Sequence, residues 1–263
     1  GIDLVAALIA RYSVKKSAEP ADEDHRYGHG KFENFSGMIE GSLIFVAAAW
    51  IIWEASKRIL GERSVEMVGA GLAVMGFSAV VNYLVSRKLF EVAKRTDSLA
   101  LEADAYHLKT DVWTSVGVFV ALALIMVTGF DMLDPIVAIM VAAFIIKAAF
   151  DITRRSTEGL LDASLPKGEI EAIERVMNEH STDFVNFHRL RARKMGSERQ
   201  IDLHVTVPRR LTVEEGHNLV THLEDEIKKI LPGSILVIHI EPCKADCEQC
   251  GMMDSRSVFK GAP

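Results

Sequence analysis

The sequence predicts an α-helical bundle that spans a membrane, followed by a small α+β domain. Three observations predict it. Long apolar stretches recur through residues 1–160, the composition turns polar at Pro166, and the segments beyond alternate between helical and two-residue periodicity. The 263 residues are 49% hydrophobic and 25% charged, with a formal net charge of −6. That composition excludes a disordered, collagen-like or disulfide-stapled chain. The mild negative balance, with no long basic stripe, argues against nucleic-acid binding.

The first element covers residues 1–13, an apolar run broken by Asp3 and closed by Arg11. Its length of about 20 Å falls short of the roughly 30 Å hydrocarbon core. It is either a short buried helix or a span whose first part is absent, and the second reading is adopted. Four longer helices follow, at about 32–59, 65–87, 99–128 and 134–157. Glu40 and Glu54 flank the apolar centre of the first of these, and Gly69, Gly71 and Ala73 suit the second to close packing in lipid. The alternative, a water-soluble bundle, would not carry apolar runs this long.

Basic residues set the orientation. Lys15, Lys16, Arg26 and Lys31 lie in the first loop, Arg87, Lys88, Lys94 and Arg95 follow the 65–87 span, and Arg154 and Arg155 follow the last one. The loop at 128–134 has none. The first loop, the loop after Ser86 and the C-terminal domain are therefore expected in the cytoplasm, with Lys57, Arg58 and Arg63 as a mild dissent.

The domain at 161–242 reads as helix, strand, strand, helix, strand. Ile170, Ile173 and Val176 face one way in the helix at 167–179, and strands are expected at 184–193, 200–207 and 235–241. Along 200–207, Ile201, Leu203, Val205 and Val207 alternate with Asp202, His204 and Thr206. A helix at 213–231 carries Leu219, Leu223, Ile227 and Ile230, and a turn at 191–199 contains Gly196. The helices are expected on one face of the sheet. Residues 243–263 are expected to be a flexible tail.

Ionisable groups inside a span default to functional candidates. His107 and Asp111, four apart on a helix, share one face and can hold a cation between them, with Asp3 as a partner from another helix. The plain alternative is a capping Asp and an interfacial His, and Asp104 is left to that reading. Carboxylates with imidazole suit Zn(II), and also Fe(II), Co(II) or Cd(II). Asp22, His25 and His29 in the first loop are a second candidate set, or a solvated charged loop. In the soluble domain His188, His204, His217, His239 and Glu241 can converge, with Glu241 as a bridging carboxylate, while His180 and His222 are read as surface residues. Cys243, Cys247 and Cys250 form a speculative soft-metal site in the tail.

With these residues in view, the chain resembles the cation diffusion facilitator family of divalent-metal efflux transporters, in its bacterial zinc and iron branch. The run from Pro20 to Lys31, P-A-D-E-D-H-R-Y-G-H-G-K, resembles that branch's loop between the second and third transmembrane helices, and His107 and Asp111 resemble the fifth-helix half of its transport site. The resemblance implies a transport site of Asp3, His107 and Asp111, a loop site of Asp22, His25 and His29, and cytoplasmic ligands His188, His204, His217, His239 and Glu241. Glu241 stands where the family often has Asp. It also implies an interlock of Lys31 with Asp162. The family has six transmembrane helices, so the first helix and half of the second are expected to be missing here, and this stretch alone is not expected to transport.

The implied fold is the membrane bundle with a ferredoxin-like, metallochaperone-like cytoplasmic domain. The implied activity is proton-coupled export of divalent metal, zinc foremost, by a homodimer in a bacterial inner membrane. The alternative is a membrane-anchored metal sensor or scaffold acting through the cytoplasmic domain. No enzyme is implied, and no His-Glu-x-x-His motif supports an intramembrane metalloprotease.

Overall fold

The computed structural model describes residues 2–61, 69–130 and 132–244, and it divides into two compact units, Gly1–Leu161 and Asp162–Pro263. The first unit contains α1 (Ile2–Ser17), α2 (Lys31–Ile59), α3 (Gly69–Thr96), α4 (Leu99–Thr128) and α5 (Leu133–Leu160). Local chemistry sets several of their ends. The Ser98 hydroxyl caps α4 by accepting from the Leu101 N–H, and Gly129, at φ 67°, closes it in the left-handed conformation. The helix of α3 runs past the apolar window to Thr96, and that of α1 runs on to Ser17. Hydropathy marks where lipid ends, whereas a helix continues into water as long as its residues favour it. Beyond Thr96, Asp97 turns the chain at φ 54°.

Small side chains hold this unit together. α1 packs on α2 and α4, α2 on α4 and α5, and α3 on α4. Ala48, Ala103 and Ala149 are fully buried around Ile44, Ile145 and Ile152. At Gly41 an added Cβ would collide with Thr153 Oγ1 and stand 3.3 Å from the Ala149 carbonyl oxygen and the Thr153 nitrogen of α5, so glycine suits the close approach of α2 to α5. The outside is the reverse of a soluble protein, with Trp50, Trp53, Phe77, Leu84, Trp113 and Phe144 all exposed. Large apolar groups outward and small or polar ones inward suit a lipid surround. Among the described residues, α2 and α5 are long and apolar enough to cross a membrane. The basic dissent at the end of α2 has a local explanation. Arg58 is paired with Asp134 of α5 at 2.6 Å, and Lys57 lies 5.5 Å from the Trp53 ring centroid. Arg63 lies outside the described residues.

The second unit contains α6 (Lys167–Glu179), β1 (Asn186–Met195), β2 (Glu198–Val207), α7 (Val213–Ile230) and β3 (Ser234–Pro242). The sheet order is β1-β2-β3, with β1 antiparallel and β3 parallel to β2. Ile201, Leu203 and Val205 turn to one face and pack under Ile173 and Met177 of α6 and Leu219, Leu223 and Ile227 of α7. The capping box of Thr212 and Glu215 starts α7.

Two local expectations change. The turn contracts from 191–199 to Gly196 and Ser197, because the ladder pairs Arg191 with Asp202 and continues to Met195 with Glu198. Polar residues on both strands concealed that pairing, and Gly196 supplies the φ of 63° that so tight a turn requires. Cys243 is fixed to the sheet and does not belong to a loose tail: it is buried, and its N–H donates to the Val207 carbonyl at 2.9 Å. Cys247 and Cys250 lie outside the described residues.

Candidate metal sites

The polar face of the sheet carries a row of imidazoles. The register aligns His188 with His204 and His204 with His239, so one histidine from each strand falls on a single line. Ring centroids are 5.4 Å apart in the first pair and 4.7 Å in the second. Glu241, two residues beyond His239, returns to the same face. Its Oε1 lies 2.7 Å from His204 Nδ1 and 3.9 Å from His239 Nε2, and its Oε2 lies 3.4 Å from His188 Nε2. A carboxylate only accepts, so His204 donates from Nδ1, and in the neutral ring this leaves the lone pair on Nε2. The His204 bond, aided by the neighbouring rings, holds the Glu241 carboxyl below the usual carboxylate range. An extra residue in β1 between His188 and Arg191 forms a bulge, and Arg189 takes φ 55° there. Bulges of this kind re-aim side chains beside sites. His188, His204 and Glu241 each bring a ligand atom within 4.8 Å of the others. His217 is exposed on α7, in the helix layer across the sheet from the row.

The loop between α1 and α2 gathers the second set. Asp22 Oδ1 accepts from the backbone N–H groups of His25, at 2.6 Å, and Asp24, at 3.0 Å. This turn faces Asp22 toward both histidines, 3.5 Å from His25 Nδ1 and 3.2 Å from His29 Nε2. The His25 N–H is the main cause that holds the Asp22 carboxyl below its usual range. The His29 side chain is only 1% exposed, and neither of its ring nitrogens makes a well-aligned hydrogen bond among the described residues. The 3.2 Å approach to Asp22 therefore has ion-pair distance without hydrogen-bond direction. The three side chains can close around one cation.

Within the bundle, His107 is 6% exposed and stands one turn before Asp111 on α4. Hydroxyls cover the backbone here, with Thr110 donating to the His107 carbonyl and Ser115 to that of Asp111. α1 packs against α2 and α4, its buried residues include Ala6, Ala10 and Ser13, and Asp3 precedes Ala6 by three positions in the same helical phase. The side chain of Asp3 is not described. Lys31 Nζ donates to the Leu160 carbonyl at 3.2 Å within the first unit. Asp162 accepts from Arg193 at 2.7 Å within the second.

Two buried acids of α2 escaped the sequence reading as site residues. The Glu33 carboxylate accepts from Ser17 and Ser98, tying together the ends of α1, α2 and α4. Glu40 is 1% exposed, with Ser36 donating to its Oε1 at 3.3 Å. Their spacing of seven, two helical turns on one face of an apolar span, is the signal that could have found them.

Residues 1–161 match the family model of the cation efflux transmembrane domain, and residues 165–243 match that of the cation efflux protein cytoplasmic domain. The chain is 39% identical over 241 residues to an uncharacterised transporter of Synechocystis sp., covering 92% of this chain and 78% of that protein. It is 28% identical to the cation-efflux pump FieF of Serratia proteamaculans, covering 92% and 80%. A solved structure of CzrB in its zinc form is 31% identical over 30% of this chain and 90% of its own, with a TM-score of 0.29. The protein is a membrane-associated transporter and not an enzyme, and the chain belongs to the cation-efflux family.

Proposed function

We propose that the protein exports a divalent cation from the cytoplasm of a bacterium in exchange for protons, zinc foremost, with iron(II), cadmium or cobalt as the alternative cargo. The observation that carries this reading is the burial of His107 one turn from Asp111 on α4, a helix that α1 contacts. Asp3, His107 and Asp111 supply the transport ligands. Imidazole and carboxylates bind metal only after shedding protons, so protons entering from the outer side displace the metal and recharge the site. A ligand set of imidazole and carboxylates favours zinc-like ions over magnesium or manganese.

Asp22, His25 and His29 hold a second ion at the cytoplasmic loop. His188, His204, His239 and Glu241 hold metal on the sheet, with His217 contributed across a homodimer whose cytoplasmic domains pair. Metal at that interface stabilises the transport-ready dimer by mass action. Lys31 and Asp162 form the interlock between the membrane and cytoplasmic parts, and Cys243 with Cys247 and Cys250 is a soft-metal option at the chain's end.

The test is zinc flux into proteoliposomes carrying the full-length protein under an imposed pH gradient. Gradient-driven zinc movement that disappears in His107→Ala and in Asp111→Ala supports the reading. Flux indifferent to the gradient refutes the antiport, and flux that survives both substitutions moves the site elsewhere.

A further inference from the structure

Two lysines stand on the outside of the bundle, among residues that suit lipid. Lys109 comes just before the apolar run of α4 that starts at Val112, and Lys147 interrupts the apolar run of α5 between Ile136 and Phe150. Both are exposed, and neither has an ion-pair partner among the described residues. A short turn joins α4 to α5, and the two helices pack together. Where the start of α4 meets the end of α5, Arg155 donates to both carboxylate oxygens of Glu102, at 2.8 and 3.1 Å. Seven residues deeper into each helix come Lys109 and Ala148, with Lys147 adjoining, so the two lysines share one depth about 10 Å beyond that pair. The cytoplasmic domain follows α5, which puts this depth on the inner-leaflet side.

Between the helices at this level lies a cavity of about 240 Å³, whose lining includes Tyr106, Lys109, Trp113, Phe144 and Ala148. Lys109 Nζ lies 5.6 Å from the ring centroids of both Phe90 and Tyr106, and those rings meet edge to face. The rings orient the ammonium, but they carry no net charge to balance it. An ammonium beside hydrocarbon is costly until an anion meets it. Further along the groove the lining turns apolar at Trp113 and Phe144, both exposed. A charged head with an apolar extension is the chemistry of a lipid.

We infer that the groove between α4 and α5 binds an anionic phospholipid of the inner leaflet. Lys109 and Lys147 hold the headgroup phosphate, and an acyl chain lies along Trp113 and Phe144. Basic pockets between membrane helices on the cytoplasmic side select such lipids. A zwitterionic headgroup brings its own cation to the same place, so it gains less from the two lysines. The bound lipid spans α5 and the helix that carries His107 and Asp111. The inference rests on the chain's place in the membrane and is independent of cargo and proton coupling.

Quenching of Trp113 fluorescence by bromine on a lipid chain tests it. The full-length protein carries Trp50→Phe and Trp53→Phe, with the same chain bearing Trp113→Phe as the blank. Vesicles of phosphatidylcholine contain a minor share of phosphatidylglycerol, with bromine on one lipid or the other. Phosphatidylglycerol should be preferred at Trp113 by roughly thirtyfold, about fivefold coming from each lysine. Lys109→Gln and Lys147→Gln should each remove about that fivefold, Lys109→Arg should keep it, and added salt should weaken it. Inorganic phosphate at matched ionic strength should leave the quenching unchanged, and competition by it would mean that the site takes phosphate without a chain. The inference is overturned if the two brominated lipids quench equally, or if the preference survives both glutamine substitutions. Quenching by neither lipid would also overturn it, because protein would then cover the groove.

Discussion

Asp22, His25 and His29 come from one short loop between two helices, whereas His188, His204 and Glu241 come from three different strands. The loop brings its ligands together through local bonds, the His25 and Asp24 N–H groups turning Asp22 inward, so little chain entropy is spent in assembling them. The sheet places its ligands by register, and the row exists only when β1, β2 and β3 are all paired. A local cluster can open and close as an ion passes. One written into a ladder lasts as long as the fold does. That contrast fits the division of labour proposed above, with ions in transit at the loop and held metal at the sheet.

The sharpest way to break the comparison is to weaken the fold beneath the row. Leu203 is fully buried on the core face beside His204, and Leu203→Ala should destabilise the cytoplasmic unit by about 2–5 kcal/mol. Denaturant unfolding would measure the loss. Zinc protection of His204 should fall with it while that of His25 and His29 stays unchanged. Equal loss at both clusters would mean that they are not independent.

Next in size is Glu241→Ala, which removes the group that engages all three histidines of the row. Zinc affinity at the sheet should drop about 100-fold by calorimetric titration, and a loss of less than about threefold would deny Glu241 its bridging place. In the loop, His29→Ala should cost about tenfold in zinc affinity and His25→Ala less, because His29 is the buried ligand and His25 the exposed one. The reverse ranking would show that exposure, and not burial, governs the loop.

The smallest effect concerns the cap that starts α7. Thr212→Ala should cost about 1 kcal/mol. Glu215 is held below its ordinary value of about 4.5, chiefly by the Thr212 backbone N–H and then by its hydroxyl. A carboxyl lowered in the folded state adds stability that is complete above the unfolded value and is lost as pH falls through the folded one. Unfolding followed below pH 4.5 should show this decline in the wild type. Glu215→Gln should flatten it.

Much of this was legible in the sequence, and the exceptions share a cause. The alternation of Ile201, Leu203, Val205 and Val207 against His204 placed the row on the polar face before any strand pairing was known. The i, i+4 spacing of His107 and Asp111 placed both on one face of α4. What stayed hidden depends on which elements touch. No periodicity says that β3 runs parallel to β2 and brings His239 beside His204, or that His180 and His222 meet across α6 and α7. Glu33 reads as a helix-start acid until Ser17 and Ser98 arrive from two other helices to donate to it. Cys243 reads as tail until Val207 accepts its N–H.

The central claim is that one family of ligands, imidazole with carboxylate, holds the transported ion inside the bundle as well as on the loop and the sheet. A zinc-edge anomalous difference map of the zinc-soaked full-length protein addresses all three places at once. The account predicts a peak between α1 and α4 beside His107 and Asp111, with further peaks at Asp22, His25 and His29 and at His188, His204 and Glu241. Peaks at the loop and sheet, with none beside His107 at saturating zinc, would contradict it.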